Sequence, residues 1–242
     1  IFIIEQYIKG ESLKQLLVRL KSIPSSLAIA YLIQICKGLE YAHKQGIIHR
    51  DINPSNILVQ PDDRVTILDF GVACPVGTEE LEFAGTVSYM APEQIEGEPV
   101  DQRTDIYGLG ITAYEMVTGK KPFENADIAT LIDMQINQNV PDPGEEVPNL
   151  PETLRKFITR AARRNPKERY QTANQALEIL NQLAKELGQR DMDRHGEKRK
   201  MATFLMVYKE RRQEDLNNLM DEFRTRLQNL GITLKSLESH DL

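Results

Sequence analysis

The chain of 242 residues contains no tryptophan, only two cysteines, and no apolar run near the roughly 20 residues that cross a bilayer. Each scarcity removes a class of protein. Cys36 and Cys74 are too few for a disulfide framework or a cysteine metal cluster, which points to a reducing, cytoplasmic setting. A basic excess is missing as well: Lys and Arg total 30 against 36 Asp and Glu, for a net charge of −6. That balance argues against a dedicated nucleic-acid binder, whose phosphate contacts need clustered positive charge. Residues 1–4 are apolar but carry neither a basic leader nor a small-residue cleavage site, so they read as a buried strand rather than a signal peptide. An initiator methionine is also lacking, and the expectation is a chain that starts in mid-protein. What is present, 40% hydrophobic and 27% charged residues, is the balance of a soluble globular protein with a sizeable core.

Apolar spacing at Leu13, Leu16, Leu17 and Leu20 predicts a short helix. Ser25 and Ser26 offer N-caps for a longer one ending near Lys44, with Gly46 as its stop. Its apolar positions, among them Leu27, Ala30, Tyr31, Ile33, Ile35, Leu39 and Ala42, nearly encircle it and predict deep burial. Two β runs at residues 57–60 and 65–68 are joined by Pro61-Asp62-Asp63-Arg64, which is hairpin chemistry. Residues 71–100 show no period and read as a long ordered loop. Further helices are expected from Asp105 to a stop at Gly119, and over 127–139, 151–164 and 172–187. Residues 1–187 thus read as one mainly helical unit with a small hairpin, and 188–242 as a charged helical extension. In the extension Leu216, Met220, Phe223, Leu227, Leu230, Leu234 and Leu237 recur at alternating intervals of 4 and 3. This heptad seam leaves three readings open: a helix folded back on its own domain, coiled-coil self-association through 216–237, or a solvated linker.

The chemistry concentrates in His49-Arg50-Asp51-Ile52-Asn53-Pro54-Ser55-Asn56, followed by the hairpin and then Asp69-Phe70-Gly71. An antiparallel hairpin returns the chain to its own start, so Asp51, Asn56 and Asp69 should meet at one end. A carboxylate, amide and carboxylate suit a hard, oxygen-seeking cation such as Mg²⁺ and leave coordination positions for phosphate. A carboxylate not used by the metal could orient or deprotonate a hydroxyl nucleophile.

With Ala91-Pro92-Glu93 added, this ordered series resembles the large C-terminal lobe of bacterial, eukaryotic-like serine/threonine protein kinases. Asp105-Ile106-Tyr107-Gly108-Leu109-Gly110, Thr118-Gly119-Lys120-Lys121-Pro122-Phe123 and Arg164-Asn165-Pro166-Lys167-Glu168-Arg169-Tyr170 extend the likeness over residues 1–187. The resemblance implies a mainly α, kinase-like C-lobe, with ATP and Mg²⁺ as cofactors and protein Ser/Thr hydroxyls as substrate. Asp51 would handle the substrate hydroxyl, and Asn56 and Asp69 would hold Mg²⁺ against the phosphates. Arg50 would pair with a phosphate on the activation segment. Leu58 would form part of the floor under adenine, and the backbone of Gln6 and Ile8 would line the hinge. Thr86 stands where serine/threonine kinases place their peptide-loop threonine, and Thr78, Thr86 and Ser88 are candidate modified hydroxyls. His49 and Phe70 would stack as apolar links to the helix beginning at Asp105, and Glu93 with Arg169 would form a buried structural ion pair.

Two departures accompany the likeness. Asn53 stands where such kinases carry a lysine that meets the transferred phosphate; asparagine can donate a hydrogen bond but brings no charge. The glycine-rich phosphate loop, the strand lysine and its partner glutamate are not found in these residues. The expectation is therefore an N-terminally truncated kinase domain, hinge and C-lobe only, with little activity by itself. The alternative is a pseudokinase or scaffold that binds protein partners without catalysis.

Overall fold

A computed structural model describes residues 8–68, 87–125 and 127–193, with side chains to residue 188. The expected strand at residues 1–4, the heptad seam at 216–237 and most of the expected loop at 71–100 lie outside the described residues.

Strand β1 (Glu11–Ser12) leads directly into helix α1 (Leu13–Leu20). Ser12 starts that helix by accepting from the Gln15 amide while the Gln15 side chain returns to the Ser12 backbone, satisfying two otherwise unpaired groups. Helix α2 (Ser25–Lys44) follows. Its N-cap is Pro24, with no side-chain cap, so Ser25 and Ser26 are helical residues and not the cap that the sequence suggested. Gly46, at φ 73°, turns the chain away after the helix. One face of α2 is buried through Ala28, Leu32, Ile35, Cys36 and Leu39, but Ala30 is exposed and Tyr41 is 72% exposed. The helix is therefore one-sided and not fully enclosed as its composition implied.

Strands β2 (Ile57–Val59) and β3 (Val65–Ile67) form the expected antiparallel hairpin, with Leu58 opposite Thr66. The sheet has three strands, because β1 pairs antiparallel with β2, placing Ser12 opposite Leu58. A two-residue strand carries no periodic signal, which is why only a hairpin was legible. Within the stretch read as a loop, Pro92–Ile95 forms a one-turn helix, α3, with proline at its first position.

Helix α4 (Gln102–Thr118) is the centre of the fold. It begins before Asp105, because Asp101 caps it by accepting from the Arg103 amide at 2.8 Å. Gly119, at φ 75°, ends it as expected. Every residue from Thr104 to Val117 is buried, so the predicted stripe is in fact a helix enclosed on all sides. Two glycines permit that enclosure: a Cβ on Gly108 would lie 2.8 Å from the Ile52 carbonyl oxygen, and one on Gly110 would lie 2.7 Å from the Ala162 nitrogen. Helices α5 (Ile128–Asn137), α6 (Glu152–Ala161) and α7 (Ala173–Asp193) complete the described part. The last runs past the expected end at 187, because a glycine inside a helix weakens it without breaking it. The main core joins α1, α2, α4, α6 and α7 through residues such as Leu13, Leu32, Ile106, Phe157 and Leu180.

Candidate active site

The residues between α2 and β2 form an irregular loop held from below by one carboxylate. Asp105, with its side chain fully buried in the first turn of α4, accepts from the backbone amide of His49 at 2.9 Å and of Arg50 at 2.7 Å. Its Oδ2 also lies 2.7 Å from His43 Nε2. Arg50 takes a left-handed conformation at φ 69°, costly for a residue with a Cβ, and these bonds with Asp105 hold it there. His49 uses both ring nitrogens: Nδ1 accepts from the Asp51 amide at 3.2 Å, and Nε2 lies 2.7 Å from the Leu68 carbonyl. His49 is therefore hydrogen-bonded through both ring nitrogens, and its backbone amide is tied to α4 through Asp105. Phe70, its expected stacking partner, lies outside the described residues.

Asp51 sits half-buried at the head of the hairpin, and its carboxylate is held from two sides. Asn53 Nδ2 donates to Oδ1 at 2.7 Å, and Asn56 Nδ2 donates to Oδ2 at 2.7 Å. The same two amides reach the Asp51 carbonyl, at 3.3 and 3.0 Å. The intervening Pro54–Asn56 turn is a single 3₁₀ turn that Asn53 opens by accepting from the Ser55 amide at 2.8 Å. The hairpin closes on this turn, since the Leu68 amide donates to the Asn56 carbonyl at 2.8 Å. Asp51 and Asn56 thus meet across this turn, and the hairpin brings the chain back to Leu68; Asp69, the third residue of the expected cluster, lies outside the described residues. Both hydrogens of the Asn56 amide point to Asp51, so its remaining polar atom is Oδ1, an oxygen of the kind Mg²⁺ takes.

Of the residues expected at a nucleotide, Leu58 is half-buried on β2 and Ile8 half-buried in the segment before β1. Gly10 lets that segment close on the strand, because a Cβ there would lie 2.6 Å from the Val59 carbonyl and 3.0 Å from Leu58 Cγ. Gln6, Thr78 and Thr86 lie outside the described residues. Ser88 is 4% exposed and accepts from Lys121 Nζ at 3.2 Å, so its hydroxyl is packed, which sets it apart from an accessible modification site.

The Glu93–Arg169 pair is present and buried. Arg169 spends all five N–H groups: two on the Glu93 carboxylate at 2.7 Å each, and the others on the carbonyls of Arg103, Arg163 and Arg164. Burial by itself would raise the Glu93 carboxyl, but the guanidinium and the Thr104 hydroxyl outweigh it and hold it below the ordinary glutamate range.

Three connections escaped the sequence. Gln94 Oε1 accepts from the Ala91 amide at 3.0 Å while its Nε2 donates to the Arg50 carbonyl at 2.8 Å, tying α3 to the loop that carries Asp51. The three-residue interval from Ala91 to Gln94 is a capping signal, but its second partner is distant in sequence. His43 joins Asp105 from the last turn of α2, with no local pattern to mark it. Glu115, on α4, accepts from the Tyr89 hydroxyl and pairs with Lys14 at 3.0 Å.

Comparison with known proteins shows the family. The protein kinase domain family matches residues 1–181. A probable serine/threonine-protein kinase of Clostridium acetobutylicum is 40% identical over 187 residues, covering 75% of this chain and 28% of that protein. The serine/threonine-protein kinase PknB of Mycobacterium leprae is 31% identical over 177 residues, 71% of this chain and 28% of that protein. PknL of Mycobacterium tuberculosis, also a serine/threonine-protein kinase, is 30% identical over 190 residues, 77% of this chain and 48% of that protein. The chain therefore spans between about a quarter and a half of the length of these relatives. A family match over residues 1–181, three quarters of the chain, leads to one conclusion: the chain belongs to the protein kinase domain family.

Proposed function

We propose that the protein transfers the γ-phosphoryl group of ATP, with Mg²⁺, to serine or threonine hydroxyls of other proteins. The observation that carries this reading is the Asp51 carboxylate, fixed by two amides on a loop braced against Asp105. A fixed carboxylate can align a hydroxyl and take its proton without first reorganising. In this reading Asn56 Oδ1 and Asp69 hold Mg²⁺, Leu58 lies under adenine, and Gln6 and Ile8 line the hinge. Arg50 pairs with a phosphate on the activation segment, for which Thr78 and Thr86 are the candidate sites. The metal would draw charge from the phosphates; the chain's own residues would supply alignment and the proton acceptor.

The 242 residues by themselves are proposed to transfer little phosphate, since the glycine-rich loop and strand lysine are not among them. The experiment is transfer from radiolabelled ATP to a mixed Ser/Thr substrate protein, by this chain and by the longest product of its gene, each beside Asp51→Ala. Transfer by the longer product that Asp51→Ala abolishes is the expected result; label incorporation indifferent to Asp51 would sink the assignment.

One observation favours a second reading, a pseudokinase or scaffold. Asn53 is neutral and turned toward Asp51, so no positive charge arises from that position. Absence of Asp51-dependent transfer, together with retained protein partners, would decide for it. Residues 216–237 are the proposed self-association segment in either case.

A further inference from the structure

The most unusual feature of the site is where Asn53 spends its hydrogen bonds. The residue is 5% exposed, so its amide has little water to turn to. Its Oδ1 accepts from the Ser55 amide, and its Nδ2 donates to the Asp51 carbonyl at 3.3 Å and to the Asp51 carboxylate at 2.7 Å. An amide nitrogen has two hydrogens, and both are committed within the loop. No donor is left to follow a phosphate.

We propose that Asn53 is a positioning residue for Asp51: with Asn56 it forms a neutral clamp, one amide on each carboxylate oxygen, and it does not contact the transferred phosphoryl group. This deepens the phosphotransfer reading and rests on it for its functional meaning, though the clamp is a property of the loop. The physical advantage is geometric. A carboxylate held at one oxygen can rotate about its last bond, whereas one held at both presents its remaining lone pairs in fixed directions. Each oxygen keeps acceptor capacity beyond the amide it receives, so a substrate hydroxyl can still donate to it. The clamp also sets a chemical limit. Positive charge opposite the transferred group must come from the metal and from residues other than Asn53.

The test separates the clamp from the turn that Asn53 also caps. Asn53→Ser keeps an oxygen for the Ser55 amide and replaces the amide donor to Asp51 with a shorter hydroxyl; Asn53→Ala removes cap and donor together. In the 242-residue chain, NMR of the Asp51 carboxyl carbon and of the Asn56 side-chain amide reads the clamp without any activity. Both variants are expected to move the Asp51 carboxyl resonance by the same amount while the Asn56 amide stays protected from exchange. Asp51→Ala is expected to lower protection of the Asn53 and Asn56 amides together, leaving each its bond to the backbone carbonyl. An Asp51 carboxyl resonance unmoved in Asn53→Ser, with the loop still folded by the Asn56 signal, overturns the proposal.

In a transfer-competent preparation, Asn53→Ser should lower kcat about tenfold, the scale of one hydrogen bond to a charged group, with KM for ATP unchanged. A raised KM for ATP with kcat intact would mean that Asn53 meets the phosphate, and would equally overturn it. If no Asp51-dependent transfer exists but the carboxyl resonance moves as expected, the enzymatic reading fails and the clamp stands.

Discussion

Gln94 donates to the carbonyl oxygen of Arg50 at 2.8 Å, joining two loops that are 44 positions apart in sequence. Through its other end it caps α3, so the segment after Tyr89 and the segment bearing Asp51 are fixed to each other by one side chain. The two segments thereby share a reference point.

Changing Gln94 should uncouple the two segments. Gln94→Glu retains an acceptor for the Ala91 amide but places a carboxylate against the Arg50 carbonyl, while Gln94→Leu loses both bonds. Each lost bond is worth about 1 kcal/mol. Hydrogen exchange should quicken at Ala91 in the leucine variant and stay slow there in the glutamate variant; equal exchange in both would refute the bridge.

The Glu93–Arg169 pair should be costly to break singly. Arg169→Met leaves Glu93 buried without its cation, and about 3–5 kcal/mol is the usual scale of such a loss. The double variant Glu93→Gln with Arg169→Met should recover part of it, measurable as the urea midpoint. The pH dependence follows from the depressed Glu93 carboxyl. A carboxyl lower in the folded than in the unfolded protein stabilises above its unfolded value of 4.5 and loses that contribution as pH falls through the native value. Stability of Glu93→Gln should therefore fall less steeply than wild type on acidification below pH 4.5.

Asp105→Ala should leave the buried amide of His49 and the part-buried amide of Arg50 without acceptors. At about 1–3 kcal/mol for each such group, the loss should appear as a lower urea midpoint and as disorder confined at first to residues 47–53. A variant as stable as wild type would show that the loop does not depend on this carboxylate.

Gly108→Ala would insert a methyl 2.8 Å from the Ile52 carbonyl, beside Asp51. Backbone, not a pliable side chain, must give way, and overpacking of this kind costs about 1–3 kcal/mol. The expected signature is loss of Asp51-dependent transfer out of proportion to the loss of thermal stability. An equal effect of the same change at Gly188, where the added methyl would meet no atom of the described residues within 4 Å, would count against the steric cause.

Much of this architecture was legible in the residues. Helices α1, α2 and α4 and the 57–67 hairpin follow from apolar period, β-branched runs and turn chemistry, and the nearness of Asp51 and Asn56 follows from their short spacing before the hairpin. Less visible was what depends on partners remote in sequence. The two-residue strand β1 exists because β2 is beside it, and the Ser88 hydroxyl finds its donor in Lys121, which comes from beyond α4.

The sequence by itself determined the kinase family, the ordered motifs and the neutral residue at position 53, because these are matters of identity and spacing along one chain. Tertiary structure alone decided what those residues do to one another. Asn53 could have pointed its amide outward; folding buried it, left Asp51 as the acceptor within reach, and made a clamp. Hydrogen-bond direction depends on which groups lose water together, and that is settled only when distant segments close on the same site.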